Sequence, residues 1–250
     1  MRVRDGRKYG KEPPLFLTVH DGGELIAAAI RTPPYPLILH CEDKRLEALD
    51  VIADHLFEIE YALPGANGTV GVVSAFVEKW SQRAGVVASQ RMSLRIYSLT
   101  EVILQKTIPG YVRWAQEDDV PTLADWFLAF CEEAVPDDPP ANPEKSVRRF
   151  MAAGKLAVWD NDGIVSMTGS SRGTPNGATI SAVYTPPEHR GHGYASACVA
   201  ALSQSLLDDG NRFCTLYADL FNPTSNTIYQ DIGFRPVIDC AMHVFSARED

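Results

Sequence analysis

The sequence predicts a mixed α+β chain, a mixed sheet flanked by helices, built as two weakly related halves. Two observations carry this. Each half runs through a strand hairpin, a strand, a helix, a strand, a helix and a strand, which reads as a weak internal repeat. A glycine-rich turn also separates a strand from a helix in the second half, the punctuation expected of an α/β crossover. The 250 residues are 45% hydrophobic and 22% charged. That mix suits one or two globular domains and excludes a disordered, collagen-like or disulfide-scaffold chain.

In the first half, Leu15–His20 and Leu25–Arg31 flank Asp21-Gly22-Gly23, a hairpin signal, and Leu37–Cys41 reads as a third strand after the prolines at 33, 34 and 36. Asp43 is positioned to cap a helix over Lys44–Leu63, with Leu46, Leu49, Ile52, Ala53, Leu56 and Ile59 on one face, and Pro64-Gly65 stops it. A short strand near Thr69–Val73, a helix over Ser74–Ala84 and a long strand over Ser89–Leu99 follow. Ile108-Pro109-Gly110 marks the seam, dividing the chain into 1–108 and 109–250.

The second half opens with a strand at Tyr111–Ala115 and a helix over Glu117–Ala134. Proline density makes Pro136–Pro143 a loop before a helix at Glu144–Ala153. Lys155–Trp159 and Ile164–Ser170 form a hairpin across Asn161-Asp162-Gly163. Strands at Ala178–Tyr184, Phe213–Asp219 and Val237–Phe245 alternate with helices at Ser196–Leu207 and Thr224–Ile232.

The net charge is −9. Such a chain has no general attraction for nucleic acid or an anionic membrane, and an anionic ligand must be held by local geometry. No apolar run approaches the roughly 18–20 residues that span a bilayer, and the basic N-terminus lacks a signal-peptide core. Five scattered cysteines without a CxxC pair, Cys41, Cys131, Cys198, Cys214 and Cys240, fit a reduced cytoplasmic setting, with no metal site expected.

The strongest chemical signal is Val183-Tyr184-Thr185-Pro186-Pro187-Glu188-His189-Arg190-Gly191-His192-Gly193-Tyr194-Ala195, which leaves a strand and enters a helix. A helix start after a glycine turn presents unpaired N–H groups and the positive end of a dipole, a cradle for phosphate or diphosphate. Gly191 and Gly193 let the backbone approach, Ala195 keeps the helix start small, and Arg190 adds a cation. The segment is neither a GKS/T phosphate loop nor a dinucleotide GxGxxG. Downstream, Asn222 and Ser225 stand at a strand-to-helix junction, where polar side chains cap the helix or contact a ligand. Tyr229, four residues past Ser225 on the same helical face, either reaches a ligand or packs with its hydroxyl satisfied.

Together these segments resemble the GNAT superfamily of acyl-CoA-dependent N-acyltransferases. Arg190-x-x-Gly193-x-Ala195 is similar to its R/Q-x-x-G-x-G/A pattern. Asn222, Ser225, Tyr229 and Gly233-Phe234 are similar to its second pattern. The resemblance covers roughly Tyr111–Phe245 and implies a GNAT fold, its sheet splayed between the strands ending at Tyr184 and Asp219, with acetyl-CoA as co-substrate in the split. It further implies direct acyl transfer to a primary amine in a ternary complex, without nucleic acid, membrane or metal; a homodimer stays open. The implied contacts to acetyl-CoA are Val183, Tyr184, Thr185, Arg190, Gly191, His192, Gly193, Tyr194, Ala195, Asn222 and Ser225. The implied oxyanion donor is a backbone N–H near Val183–Tyr184, freed by a bulge, and the implied acid is Tyr229.

Many relatives carry a Glu on the strand before the loop, but Thr179–Thr185 holds no carboxylate. Asp219, Glu132, Glu133 or a water chain would then deprotonate the amine. Cys198 lies inside an apolar helix pattern, so packing is expected of it rather than nucleophilic chemistry. The acceptor pocket falls to variable loops such as Pro136–Pro143 and Arg172–Gly177. The first half reads as a degenerate copy, because Glu42 and Asp43 stand where a diphosphate needs donors. Its leading strand and helices are missing, which implies a truncated copy or a start that lies upstream. A non-catalytic acyl-CoA-binding sensor or scaffold is the alternative from a different class.

Overall fold

The computed structural model describes residues 13–103, 107–135 and 140–248. The chain folds as two compact units. The first takes the chain up to Ile96, together with Asp219–Phe221 and the segment from Ile238; the second takes Tyr97–Ala218 and Asn222–Val237. The expected boundary at 108/109 therefore falls within the second unit. There Gly110, at φ +104°, sits so close to the neighbouring backbone that a side chain would strike the Asp160 carbonyl, and Trp159 Nε1 donates to Pro109 O at 2.8 Å.

In the first unit β1 (Leu15–Asp21) pairs antiparallel with β2 (Glu24–Arg31), and β2 with β3 (Leu37–Cys41). β4 (Gly65–Thr69) lies parallel to β3 and antiparallel to the C-terminal strand β11 (Arg235–Ala247). One face of this sheet buries Ala27, Ala29, Leu37, Leu39 and Ala66 against α1 (Ala48–Glu58) and α2 (Val70–Ala84). On the other face Phe16, Ile30 and Ile38 form an exposed row across β1, β2 and β3. β5 (Val86–Leu99) completes the first half of the sequence.

Two expectations for this unit need correction. The helix expected over Lys44–Leu63 is α1, eleven residues long. Asp43 does not cap it: three-residue turns, Arg45 N to Glu42 O and Ala48 N to Arg45 O, delay the helix to Ala48. Its end comes before Pro64, where Glu60 turns left-handed at φ 52° and Tyr61 N reaches back to Leu56 O. The strand expected at Thr69–Val73 lies earlier, in Gly65-Ala66-Asn67-Gly68-Thr69. Its glycines are required by neighbouring backbone: a Cβ on Gly65 would strike His243 O, and one on Gly68 would lie 2.9 Å from Leu39 O.

In the second unit β6 (Tyr111–Trp114), β7 (Leu156–Asp160), β8 (Ile164–Thr174) and β9 (Gly177–Tyr184) form an antiparallel run, and β10 (Phe213–Asp219) joins β9 in parallel. The Asp219 end of β10 counts with the first unit. α3 (Val120–Ala134) and α4 (Pro143–Ala152) cover one face through Val120, Leu123, Val147, Val158 and Met167. α5 (Tyr194–Asp208) and α6 (Pro223–Ile232) cover the other through Val199, Leu202, Ile180, Leu216 and Ile232. A 3₁₀ turn at Glu117–Asp119 precedes α3, where a continuous helix was expected. Of the expected loop Pro136–Pro143, residues 136–139 lie outside the described residues. Pro143 instead opens α4, capped by Asn142 Oδ1 accepting from Lys145 N at 2.7 Å. Arg172–Gly177 is a tight hairpin rather than a loop, with Thr174 opposite Gly177.

Arg113 on β6 ties this side together, bonding Asp119 with both Nη atoms at 2.7 and 2.9 Å and Asp160 through Nε at 2.7 Å. All three side chains are largely buried. The Arg113 hydrogen bonds hold both carboxyls below their usual pKa. A depressed folded pKa stabilises above the unfolded value, about 4, and is lost as pH falls through the folded one. Arg113→Met should cost about 3 kcal/mol at neutral pH by stranding two carboxylates. Denaturant titrations should show the mutant lacking the part of the acid destabilisation that the wild type shows below about pH 4.

Candidate functional site

The site grows from the end of a ladder. β9 and β10 pair through three rows only: Gly177–Phe213, Ala178–Cys214 and Thr179–Thr215. Thr179 Oγ1 and Thr215 Oγ1 meet at 3.0 Å at the last row. Beyond it the strands part, so the edge of β9 from Ile180 onward has no β10 partner. The splay expected between the strands ending at Tyr184 and Asp219 is present.

On its other edge β9 carries a bulge. Met167 pairs with Tyr184 and Gly169 with Ser181, so Thr168 alone faces both Ala182 and Val183. Ala182 has φ +50°, a strained conformation for a residue with a Cβ. The bulge thus begins one residue earlier than expected, and Tyr184 remains in the ladder.

From Tyr184 the chain enters a pinned turn. Ser166 Oγ donates to Tyr184 O at 3.1 Å, and Thr185 Oγ1 donates to Ser166 Oγ at 2.9 Å. His189 N and Arg190 N close a 3₁₀ turn on Pro186 O and Pro187 O. Gly191 and Gly193 then take φ +82° and +83°, and α5 begins at Tyr194 with no side-chain cap. Its first internal bond is Ala197 N to Gly193 O. Among the described residues, the six consecutive N–H groups from Gly191 to Ser196 have no protein acceptor. A Cβ on Gly191 would meet open space, whereas one on Gly193 would lie 2.8 Å from Ile108 Cδ1.

The remaining expected contacts fall around this turn. His192 stacks on Tyr194 at 5.5 Å, and Asn161 Nδ2 donates to the Tyr194 hydroxyl at 3.0 Å. Ala195 follows as the second residue of α5, and Val183 packs against the cluster under α5 and α6. The Arg190 guanidinium does not stand free. Its Nε donates to Thr185 O at 2.8 Å, its Nη2 pairs with Glu133 Oε1 at 2.8 Å, and it lies 5.6 Å from the centre of the Tyr184 ring. Glu133, a candidate base, is thereby engaged. Glu132 is exposed on α3, and Asp219 accepts from Phe221 N at 2.9 Å.

Asn222 and Ser225 are committed to one another. Asn222 Oδ1 accepts from Ser225 N at 3.1 Å, and Ser225 Oγ donates to Asn222 O at 3.1 Å. The pair caps α6. Tyr229, two turns along, is half-buried beside the Tyr97 and Phe234 rings, in the cluster that contains Ile180 and Leu216, the first residues past the last paired row. Burial pushes its phenol up to about 12, so the hydroxyl keeps its proton at neutral pH. Gly233, at φ +121°, ends α6 against Glu101 O, 2.7 Å from where a Cβ would stand.

Sequence reasoning missed Ser166, Thr185's partner, and Glu133 as a partner of Arg190, because all lie far away in the chain. Burial pushes Cys198 up to about 12 and Cys214 up to about 11, which leaves both thiols as packing groups.

The second unit is thus a split mixed sheet with a run of unpartnered backbone N–H groups where β9 leads into α5. Residues 166–242, which hold the bulge, the cradle and α6, match the family model described as FR47-like protein. The whole chain resembles an acetyltransferase of the GNAT family from Colwellia psychrerythraea, at 11% identity and a TM-score of 0.60 over 91% of this chain and 84% of that one. It resembles a GCN5-related N-acetyltransferase from Sphaerobacter thermophilus at 14% identity and 0.60, over 88% and 76%. It also resembles the tandem GNAT protein from the clavulanic acid biosynthesis pathway at 14% identity and 0.55, over 93% and 83%. No curated protein sequence matches. The chain has the GNAT fold, as its two motifs implied.

Gly191→Asp tests the cradle. The position is open, so the fold should survive with about 1–2 kcal/mol of backbone strain, while the new carboxylate competes for the N–H groups. Calorimetric titration should show acetyl-CoA affinity falling at least about tenfold.

Proposed function

We propose that the protein is an N-acetyltransferase that moves an acetyl group from acetyl-CoA to a primary amine by direct attack in a ternary complex. The observation that carries this reading is the run of six unpartnered N–H groups beside the split. Backbone donors and a helix dipole suit the diphosphate of coenzyme A and need no net positive charge. The unpaired edge of β9 past Thr179 offers donors and acceptors to the amides of the pantetheine arm. The N–H released by the Ala182–Val183 bulge is the candidate donor to the thioester oxygen as charge develops there. The Tyr229 hydroxyl, kept protonated by burial, is the candidate donor to the departing thiolate.

In this reading residues 109–250 carry the site and 1–108 form a silent copy. The crossover after β3 supports the second part: the N–H groups of Arg45, Ala48, Leu49 and Asp50 already donate to carbonyls three residues back. A cytoplasmic location accords with five buried cysteines that form no disulfide. The non-catalytic acyl-CoA-binding reading keeps one observation in its favour. No carboxylate lies between Thr179 and Thr185, and Glu133 is paired with Arg190. If the protein is an enzyme, Asp219, Glu132 or a water chain would take the amine's proton.

Tyr229→Phe separates the readings. It keeps the ring contacts and removes the hydroxyl, so acetyl-CoA affinity should hold while kcat falls about 10²–10⁴-fold, measured as thiol release over a panel of primary amines. Release unchanged within about threefold would take Tyr229 out of the chemistry. No release with any amine would favour the binding module.

A further inference from the structure

We infer that Arg190 is a positioning residue rather than a ligand of the diphosphate, and that Glu133 on α3 is the partner through which it sets the cradle. This deepens the acetyl-CoA reading and rests on it for the binding arm alone.

Three contacts orient the guanidinium: Nε on the carbonyl of Thr185, Nη2 on the carboxylate of Glu133, and the group as a whole over the face of Tyr184. Nε closes residues 185–190 into a loop by binding the Thr185 carbonyl, whose lone pairs would otherwise repel an anion at the neighbouring N–H groups. Nη2 ties that loop to α3, which also packs on Tyr184 through Trp126, 6.4 Å between ring centres. The Tyr184 carbonyl is held separately by Ser166. Both carbonyls at the entry to the cradle are thus bound to donors, and the two left-handed glycines can present N–H groups alone. A fixed loop matters because six donors converge on one anion only if none must first be ordered.

The bridge is half-exposed, 47% at Arg190 and 54% at Glu133, so its effect should be modest. Glu133→Gln gives opposite signs under the two roles. If Arg190 positions the loop, loss of its anchor loosens the cradle and acetyl-CoA Kd rises about two- to fivefold. If Arg190 is a phosphate ligand held in reserve by Glu133, the mutation frees it and Kd falls. Arg190→Gln adds a second criterion. A positioning role raises Kd and leaves its dependence on salt as in the wild type, whereas a lost phosphate contact flattens that dependence.

The experiment is calorimetric titration of acetyl-CoA into wild type, Glu133→Gln and Arg190→Gln at several salt concentrations, joined to amide hydrogen exchange over residues 184–196 of the ligand-free proteins. Faster exchange in that segment for both variants, with Kd raised and the salt slope kept, is the expected result. Unchanged exchange, a lower Kd for Glu133→Gln or a flattened slope for Arg190→Gln would overturn it. Should the wild type bind no acetyl-CoA, the proposed function falls, and the exchange arm still decides whether Arg190 and Glu133 order the loop.

Discussion

The ladder between β9 and β10 ends after three rows, and the functional architecture depends on that ending. Two parallel strands that stayed paired would use their backbone groups on each other. Because they part at Thr179 and Thr215, the edge of β9 opens at the height where the bulge releases a further backbone group. The chain then leaves β9 into the turn whose N–H groups lack acceptors. Helices hold the divergence in place. α5 and α6 fill the space under the split with Val199, Leu202, Ile232 and the ring of Tyr229, while α3 covers the opposite face.

A chain of net charge −9 that binds a polyanion needs a short-range solution. In the proposed function backbone N–H groups supply it, because they are fixed by the fold, need no counter-charge and lose no side-chain freedom on binding. Their cost is conformational, since the turn must pass twice through the left-handed region, and glycine at 191 and 193 reduces it. The link from β3 to α1 in the first unit is built differently. There Glu42-Asp43-Lys44 leads into tight turns in which the N–H groups of Arg45, Ala48, Leu49 and Asp50 donate to carbonyls three residues back.

The parts of this site legible in the sequence are those where local backbone conformation dictates residue type. The glycines of the cradle and the helix-closing Gly233 follow from residue type and spacing, and the resemblance of the two motifs to the GNAT superfamily implied the fold. Long-range selection was not legible. Gly65 and Gly68 look like loop residues because their role is to let the backbones of β11 and β3 approach, which pattern reading does not detect. The bulge at Ala182 is set by pairing with β8, not by its own side chain. The ion pair of Arg190 was not legible because its partner, Glu133, lies 57 residues earlier in the chain. Asn222 and Ser225 read equally as ligand contacts or caps, and their mutual hydrogen bonds show that they cap α6.

The central claim is that one cradle, made of backbone N–H groups on the second unit, holds the diphosphate. Its most direct measurement is the stoichiometry of acetyl-CoA binding to the intact chain by calorimetric titration. The account predicts one molecule per chain. Two per chain would show that the first half also carries a cradle, and none would show that the N–H groups of Gly191–Ser196 do not serve coenzyme A.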